Sequence, residues 1–359
     1  MITDRDRRGA QVFALDLAAG LRRLGATVDT IALIPGQHGD LLPVRALGPR
    51  RFGFRTLKEL RRVAGNSDVV VAHGSSTLPA STLALMGTGT RIVYRQVSDP
   101  TFWASSWPRR LRVAALLRRT AAVVALTSRT SATLQRHYWI RKRPAITVIP
   151  NAVSGEHFRP PSRQERGAAR AALGIPVDSA VILCVGALAA EKGIDLAIMA
   201  VAGIEGARLL LVGDGPLRKE LEALASSEMP NRCWFVGSMN DPRVAYWSAD
   251  LLISPSRSES MPAVLIEAGL CGLASVATEV GETKEVIDHG VTGLIVRSGD
   301  ATAIATAVVQ LMGDPESRSA MGSAASDLCR RRFTISSTAP AWFELFAALA
   351  VEGGKHAGG

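Results

Sequence analysis

The sequence predicts an α/β protein with two doubly wound parallel sheets, one in each half of the chain. The chain has 359 residues, more than a single core usually serves, since such cores stop growing at roughly 250 to 300 residues. Both halves alternate short β-branched runs with helical patterns, as parallel βαβ units do. A segment rich in proline and polar residues, 154–163, separates the halves and is the expected linker.

The alternation is clearest in the second half, where apolar runs end at turn residues and helical patterns follow. The first of these helices spans Asp195 to Ala202, and the second spans Leu217 to Ala225. We expect strands at Ala180–Val185, Arg208–Val212, Cys233–Val236, Leu251–Ile253, Ala274–Ala277 and Gly293–Val296. Strands separated by helices in this way build a parallel sheet with helices on both faces.

The first half repeats the pattern. Its opening helix, Ala10 to Leu24, carries an apolar stripe and is stopped by Gly25. We expect strands at Val28–Leu33, Asp68–Ala72, Arg91–Tyr94 and Ala122–Leu126. The chain thus divides into a first domain over 1–155, a second over 165–335 and a final helix over 336–352 that returns to the first domain.

The amino terminus is unusually short for this fold. A doubly wound half begins with a strand that feeds the glycine turn, yet only eight residues precede Gly9, and Met1 to Thr3 supply barely one edge of that strand. Loss of a central strand would leave its buried neighbours without backbone partners. We therefore expect the first strand to be truncated here and the natural product to start upstream.

Composition indicates a globular protein, with 47% hydrophobic and 21% charged residues. No apolar run reaches the roughly 20 residues of a membrane span, and no signal peptide opens the chain, so we expect a cytoplasmic location. The net charge of +10 is uneven, because residues 1–160 hold 25 Lys and Arg against 9 Asp and Glu, or +16. Residues 161–359 hold 17 against 23, or −6, so the basic excess belongs to the first half.

No metal or cofactor is expected. The four cysteines form no CxxC pair, and none of the six histidines has a partner at metal-ligand spacing. The tripeptide Asp4-Arg5-Asp6 is formally a DxD motif, but at the start of the chain we take it as accidental. The tripeptide Gly213-Asp214-Gly215 lacks the lysine and hydroxyl of a P-loop, which argues against an ATPase.

The most informative segment, 254–268, follows an expected strand. Pro262 suits the first position of a helix, because its missing N–H costs nothing there. The free N–H groups of the first turn could then bind an anion such as a diphosphate. Those groups belong to Ala263, Val264 and Leu265.

Two carboxylates flank that anion site. Glu259 lies just before the helix start, and Glu267 lies five residues inside it, roughly 7 to 8 Å along at about 1.5 Å per residue. One carboxylate could bind the hydroxyls of a sugar and the other those of a ribose, on either side of a diphosphate. On spacing alone, two solvated glutamates at a helix end are the simpler explanation.

Several segments, in order, resemble the family 4 retaining glycosyltransferases. Glu259 and Glu267 occupy the acidic positions of the family's E-x7-E motif. The others are 148–153 with Phe158, similar to IPNGV...F; 185–193, similar to VGRL...EKG; 211–216, similar to LVGDGP; and 281–296, similar to a segment ending in DG.TGLLV. The resemblance covers nearly the whole chain. It implies the GT-B fold, in which two Rossmann-like domains, an acceptor-binding and a nucleotide-sugar-binding one, face a central cleft.

The resemblance also implies roles for single residues. Glu267 would bind the ribose, and Glu259 would face the donor sugar as the catalytic nucleophile or transition-state stabiliser. Gly186 and Lys192 would lie at the donor, with Lys192 neutralising the diphosphate; an exposed helix-start lysine is the alternative. Gly9, at the head of the first helix, could approach the diphosphate or the acceptor, or could be a simple turn glycine.

Two positions depart from the family pattern. Where the family has the arginine of VGRL this chain has Ala187, so a charge-assisted contact of roughly 1.5 to 3 kcal/mol is missing unless another residue, such as Arg257, supplies it. Where the family tends to have a histidine before an aspartate, this chain has Ser98 followed by Asp99. Arg95 and Asp99 could contact donor or acceptor from that edge.

A further segment, 102–119, mixes aromatic and basic residues ahead of and along a helix. Such a surface could bind anionic lipid, where each basic residue adds about 1 kcal/mol, and would then place the protein peripherally at the inner membrane face. A core-packing helix with a solvated arginine face is the alternative. Nucleic-acid binding is not expected, since no zinc finger, RNP sequence or recognition helix is present.

The sequence thus predicts a retaining hexosyltransferase that moves a hexose from a UDP- or GDP-sugar to a glycan, a lipid-linked or a small-molecule acceptor. The nucleotide sugar is then a substrate, and no cofactor is needed. Two alternatives stay open. One is a non-catalytic nucleotide-sugar-binding protein, which Ala187 and Ser98 would suit, and the other is a different GT-B enzyme such as a sugar-nucleotide epimerase or hydrolase.

Overall fold

The computed structural model describes residues 1–36, 41–97 and 106–354, with side chains described as far as residue 351. The chain divides into two compact units. One comprises Met1–Ala152 with Ile335–Gly359, and the other comprises Val153–Thr334. Each unit has parallel strands with helices packed against them, so the predicted α/β class with two doubly wound domains is confirmed.

The first unit has its strands in two parallel sets. β1 (Ile31–Ala32) pairs with β2 (Arg45–Ala46), while β3 (Val69–His73), β4 (Arg91–Arg95), β5 (Ala122–Ala125) and β6 (Ala145–Val148) form a four-stranded sheet in that order. The helices described in residues 1–152 are α1 (Gly9–Arg23), α2 (Phe54–Ala64), α3 (Thr77–Ala84), α4 (Trp107–Leu117) and α5 (Ser128–His137).

The first residues of the chain lie between these two sets of strands. Ile2 pairs in parallel with Ala32 of β1. On the other side, the N–H of His73 donates to the carbonyl of Met1 over 3.2 Å, and the amino group of Met1 donates to the carbonyl of Val71 over 2.8 Å. This short segment therefore stands in the central position that the first strand of a doubly wound sheet takes.

The second unit is built on a six-stranded sheet whose strands are all parallel. They are β7 (Ala180–Val185), β8 (Ala207–Val212), β9 (Cys233–Gly237), β10 (Leu251–Ser254), β11 (Ser275–Thr278) and β12 (Leu294–Val296). Each lies within one residue of a strand expected from the sequence. These runs could be located because they are short and apolar, and the strands β7, β8, β10 and β11 between the two edge strands are largely buried, as strands covered by helices on two faces must be.

The helices of the second unit fill the connections between its strands and follow the last strand. They are α6 (Arg163–Ala172), α7 (Ile194–Ala202), α8 (Arg218–Glu228), α9 (Arg243–Ser248), α10 (Ala263–Leu270), α11 (Thr283–Val286), α12 (Ala301–Gly313) and α13 (Pro315–Arg332). Within the described residues, no helix combines the length and the apolar character needed to cross a membrane.

The order of the strands places a crevice beside β7 and β10. The sheet runs β12-β11-β10-β7-β8-β9, so the chain builds outward from β7 on one side and from β10 on the other. Loops that leave two adjacent strands in opposite directions open a crevice at the carboxyl edge, and ligands of doubly wound sheets bind there. The loops after β7 and β10 therefore carry the first candidates for a site.

The last helix, α14 (Ile335–Gly354), belongs to the first unit and packs along α1. Its Trp342 is buried in one cluster with Phe13 and Leu17 of α1. Gly20 allows the two helices to approach, because a Cβ at this position would lie 2.5 Å from Cγ2 of Ile335.

A half-buried carboxylate fixes α6 to the sheet of the second unit. Asp250, at the start of β10, accepts hydrogen bonds from Arg166 over 2.6 Å and from Arg170 over 2.9 Å. It also accepts from the backbone N–H of Val181 over 2.8 Å. The guanidinium of Arg170 donates further to several backbone carbonyls, so the fold itself holds this buried side chain in place.

We predict that Asp250→Ala lowers the free energy of unfolding by about 3 to 5 kcal/mol, because it leaves the Arg170 charge buried without its carboxylate. Urea denaturation measures the change. Asp178→Ala serves as the matched control, since Asp178 is exposed nearby in the same unit and should cost less than about 0.5 kcal/mol. Equal effects of the two substitutions would contradict a structural role for Asp250.

Candidate functional site

Two loops meet at the carboxyl edge of the second sheet. The loop after β7 closes with a short 3-10 turn over Ala190–Lys192 and with Gly193, whose φ of 62° is left-handed. Its Glu191 carbonyl accepts from the N–H of Arg257 over 2.8 Å, in the loop after β10. A Cβ at Gly193 would lie 2.2 Å from the carbonyl oxygen of Pro255, so only glycine permits this contact between the loops.

The meeting of the loops brings Lys192 to Glu259. The Nζ of Lys192 lies 2.5 Å from Oε1 of Glu259, and both side chains are largely buried. The hydroxyl of Ser256, itself buried, donates to the same oxygen over 2.9 Å. Two donors thus hold the Glu259 carboxylate in one orientation at the mouth of the crevice, and Ser256 is a partner that no sequence pattern indicated.

The helix α10 begins one residue later than the sequence suggested. Pro262 has an extended ψ of 111° and stands just before Ala263, the first helical residue. The N–H of Leu265 already donates to the Pro262 carbonyl over 3.3 Å. Among the described residues, the N–H groups of Ala263 and Val264 have no acceptor, so two of the three predicted donors are available to an anion.

Glu267 lies on α10 and is held by Tyr246. The Tyr246 hydroxyl donates to Oε2 of Glu267 over 2.6 Å. Burial, followed by the charge of Glu267, holds the pKa of Tyr246 well above its usual value, so the phenol keeps its proton. The ring of Phe158 packs edge-on against Tyr246, with 5.9 Å between the ring centres. Phe158, a residue of the expected linker, therefore supports Glu267 indirectly, by packing against the tyrosine that binds it.

Gly186 and Ala187 follow β7, and Gly186 lies beside Lys192. A Cβ at Gly186 would lie 3.6 Å from Cγ of Lys192, so the backbone of Gly186 lies against the aliphatic part of the lysine side chain. Ala187 is exposed. Arg257, the candidate to replace the missing arginine, binds the carboxylate of Asp195 through two nitrogens, at 2.8 and 2.6 Å. In this structure its guanidinium is therefore engaged at the start of α7.

Gly281 supports the site and was missed as a functional position. Its φ is 50°, and a Cβ there would lie 2.1 Å from the carbonyl oxygen of Glu259. The next residue, Glu282, donates its N–H to the carbonyl of Ser260 over 2.8 Å. The loop after β11 thus presses directly on the backbone that carries Glu259, a contact that no local sequence pattern reveals.

The site residues expected in the first unit have different environments. Gly9 is exposed at the first position of α1. Arg95 is only 2% exposed; its guanidinium stacks 3.7 Å from the ring centre of Phe13 and donates to Asn151 over 2.8 Å. Burial lowers the pKa of Arg95 to about 9. Asp99, with Ser98, lies outside the described residues.

A cavity of about 160 Å³ adjoins the start of α1. Its walls include Gln11, Gly74, Ser75 and the imidazole of His73, at the carboxyl end of β3. Burial holds the pKa of His73 well below its usual value, so the ring is neutral at pH 7. No sequence pattern marks His73 as a candidate site residue.

No cluster of three or more potential metal ligands occurs in the part of the chain that the structure describes. All four cysteines are free thiols.

Two family models match the two halves of the chain. The model described as Glycosyltransferase Family 4 matches residues 7–157, and the model described as Glycosyl transferases group 1 matches residues 165–327. The chain therefore belongs to family 4 of the glycosyltransferases, as its motifs suggested. It is a glycosyltransferase with the GT-B fold.

Curated relatives agree with this assignment. The chain is 28% identical over 286 residues to the alpha-D-kanosaminyltransferase of Streptomyces kanamyceticus. The aligned residues cover 77% of this chain and 69% of the relative. It is 33% identical over 237 residues to the D-inositol 3-phosphate glycosyltransferase of Xylanimonas cellulosilytica, covering 63% of this chain and 56% of the relative. The alignment thus spans little more than half of the second relative.

Solved structures share the fold over nearly the whole chain. The sucrose-phosphate synthase of Thermosynechococcus elongatus superposes with a TM-score of 0.82 at 22% identity, covering 98% of this chain and 96% of that one. HepE of Anabaena in complex with UDP-glucose also superposes with a TM-score of 0.82, at 21% identity. The superposition covers 97% of this chain and 99% of HepE. At these identities the likeness establishes the fold.

We predict that Gly281→Ala destabilises the protein more than Gly290→Ala does. Both positions have a left-handed φ, at 50° and 79°, so alanine at either one lowers the free energy of unfolding by about 1 to 2 kcal/mol. Nothing lies within 4 Å of a Cβ at Gly290, whereas the clash at Gly281 adds roughly 1 to 3 kcal/mol. Thermal unfolding measures both. Equal losses would mean that the loop after β11 does not brace the Glu259 backbone.

Proposed function

We propose that this chain is a retaining hexosyltransferase that moves a hexose from a UDP- or GDP-sugar to an acceptor hydroxyl. The observation that carries the proposal is the convergence of Lys192, Glu259 and the start of α10 at one edge of the second sheet. One cation, two free N–H groups and a held carboxylate fit a charged diphosphate joined to a sugar.

The diphosphate would lie against the N–H groups of Ala263 and Val264. The ammonium of Lys192 has three N–H donors and uses one on Glu259, so the others can reach phosphate oxygens. As the bond between the sugar and the diphosphate breaks, negative charge grows on the leaving oxygen. A fixed positive charge at that point stabilises the transition state more than the ground state.

The two carboxylates would bind opposite ends of the donor. Glu267 lies about 6 Å along the axis of α10 from Ala263, a suitable place for the ribose hydroxyls. Glu259 would face the sugar, where a carboxylate stabilises the positive charge of an oxocarbenium-like transition state or attacks the anomeric carbon. Either role on one face of the sugar is compatible with retained configuration.

The likeness to HepE of Anabaena supports a nucleotide sugar as the donor, since HepE was solved in complex with UDP-glucose. The first unit would supply the acceptor side, with Gly9 at the start of α1. A glycan, a lipid-linked or a small-molecule acceptor would suit the proposal, and the donor acts as substrate without a cofactor. A basic first half would also suit a peripheral position on an anionic membrane.

We predict that Glu267→Ala weakens the binding of UDP or GDP about 10- to 100-fold, as expected when hydroxyls lose a charged acceptor. Isothermal titration calorimetry measures the affinity. Glu220→Ala is the matched control, because Glu220 is an exposed glutamate on α8 of the same unit. Affinity in Glu267→Ala equal to that of the control would remove Glu267 from the nucleotide site.

We predict that Glu259→Gln lowers the rate of donor consumption roughly 100- to 1000-fold while leaving nucleotide affinity within about threefold. The amide keeps the shape of the side chain and removes its charge. Release of UDP or GDP from the donor sugar, followed by chromatography, measures the rate, with Glu220→Gln as the control. Donor that binds but is never consumed by the unmodified protein, with any acceptor, would instead support a binding protein.

A further inference from the structure

The cavity beside the start of α1 adjoins two helix starts of the first unit. Ala10 of α1 lies in one wall, and the loop from Gly74 to Ser76, which leads into α3, forms another. The first N–H groups of a helix have no acceptor within the helix itself. Among the described residues, the N–H groups of Ala10, Ser75 and Ser76 donate to no acceptor. Unused backbone donors therefore surround this cavity.

His73 adds a buried side chain to the same cavity. The residue is only 6% exposed, its ring lies in the cavity wall, and its Nδ1 has no hydrogen-bond partner among the described residues. A buried polar atom without a partner is uncommon in folded proteins, because it has lost its hydrogen bonds to water and gained none. A ligand in the cavity would give the imidazole a partner.

A buried positive charge stands behind this wall. Arg95 donates to the neutral amide of Asn151, while its Nε and Nη1 have no partner in the part of the chain that the structure describes. The guanidinium lies 3.7 Å from the ring centre of Phe13, and the His73 ring centre lies 5.9 Å from the same point. Since a buried charge is costly unless an opposite charge accompanies it, the surroundings of Arg95 favour an anion.

The size and lining of the cavity suit one small anionic group. Within the described residues, no acidic side chain lines the cavity. Asp4, which follows the lining residue Thr3, already accepts hydrogen bonds from Arg8 and Gln11. At about 160 Å³ the cavity is smaller than the roughly 300 to 1,000 Å³ of pockets that enclose a whole drug-sized ligand.

We propose that this cavity binds an oxyanion group of the acceptor, such as a phosphate ester. The free N–H groups of the two helix starts and the ring of His73 would donate to its oxygens, and Arg95 would contribute its charge through the wall. The diphosphate of the donor has its own partners in the second unit, at Lys192 and the start of α10. That the anion belongs to the acceptor rests on the proposed function, whereas the anion site itself does not.

Calorimetric titration with inorganic phosphate tests the site. The full chain is first saturated with UDP or GDP, whichever binds, so that phosphate cannot enter the diphosphate site. We expect one saturable phosphate site, and His73→Leu should lower its affinity about tenfold or more without lowering the melting temperature. His137→Leu is the matched control, because His137 is a half-buried histidine of the same unit outside the cavity, and it should leave the affinity unchanged.

A second pair of variants tests the charge of the ligand and does not depend on how His73→Leu folds. Ser75→Asp places a carboxylate at the cavity, whereas Ser75→Asn places a neutral side chain of nearly the same shape there. The aspartate variant should bind phosphate roughly tenfold more weakly than the asparagine variant, because like charges repel each other.

Three results would overturn the anion site: no phosphate binding by the nucleotide-saturated chain, equal phosphate affinity in the two histidine variants, or equal affinity in the two Ser75 variants. Loss of nucleotide affinity in His73→Leu would assign the anion to the donor and overturn its assignment to the acceptor. Nucleotide affinity without phosphate binding would contradict the cavity alone. Phosphate binding that His73→Leu weakens, in a chain without nucleotide affinity, would contradict the donor site alone.

Discussion

The ion pair between Lys192 and Glu259 joins the ends of two neighbouring parallel strands that the chain reaches 60 or more residues apart. It forms only because the loops after β7 and β10 approach backbone to backbone, with Gly193 against the carbonyl of Pro255. On the other side, Gly281 presses against the carbonyl of Glu259. The Glu259 carboxylate is thus positioned by the loops that follow β7, β10 and β11. These loops meet because the strand order of the doubly wound sheet makes the three strands neighbours.

The remaining contacts of the site depend on that arrangement. Ser256 orients the Glu259 carboxylate, and Tyr246 does the same for Glu267 from a separate helix. Both carboxylates are therefore fixed before any ligand arrives, which reduces the ordering that binding would otherwise require. Arg257 is held by Asp195 at the start of α7, so the diphosphate charge would rest chiefly on Lys192 and the start of α10.

The sequence could predict the second sheet, because its strands follow from local patterns, whereas the roles given to the site residues stay predictions. Each buried strand is a continuous apolar run, and Pro262 marks a helix start. The strands β2 and β6 and several helices were not predicted, among them α2, α3, α5 and α12. The strand β2 has only two residues, which is too short for a pattern. Ser256, Tyr246 and Gly281 could not be assigned roles, because their contacts depend on how distant loops fold together.

The most direct test is a crystal structure of the protein soaked with UDP or GDP. The account predicts diphosphate density between the Lys192 ammonium and the N–H groups of Ala263 and Val264, with the ribose hydroxyls on Glu267. Nucleotide bound at another surface of the second unit, with the Lys192–Glu259 pair untouched, would contradict it.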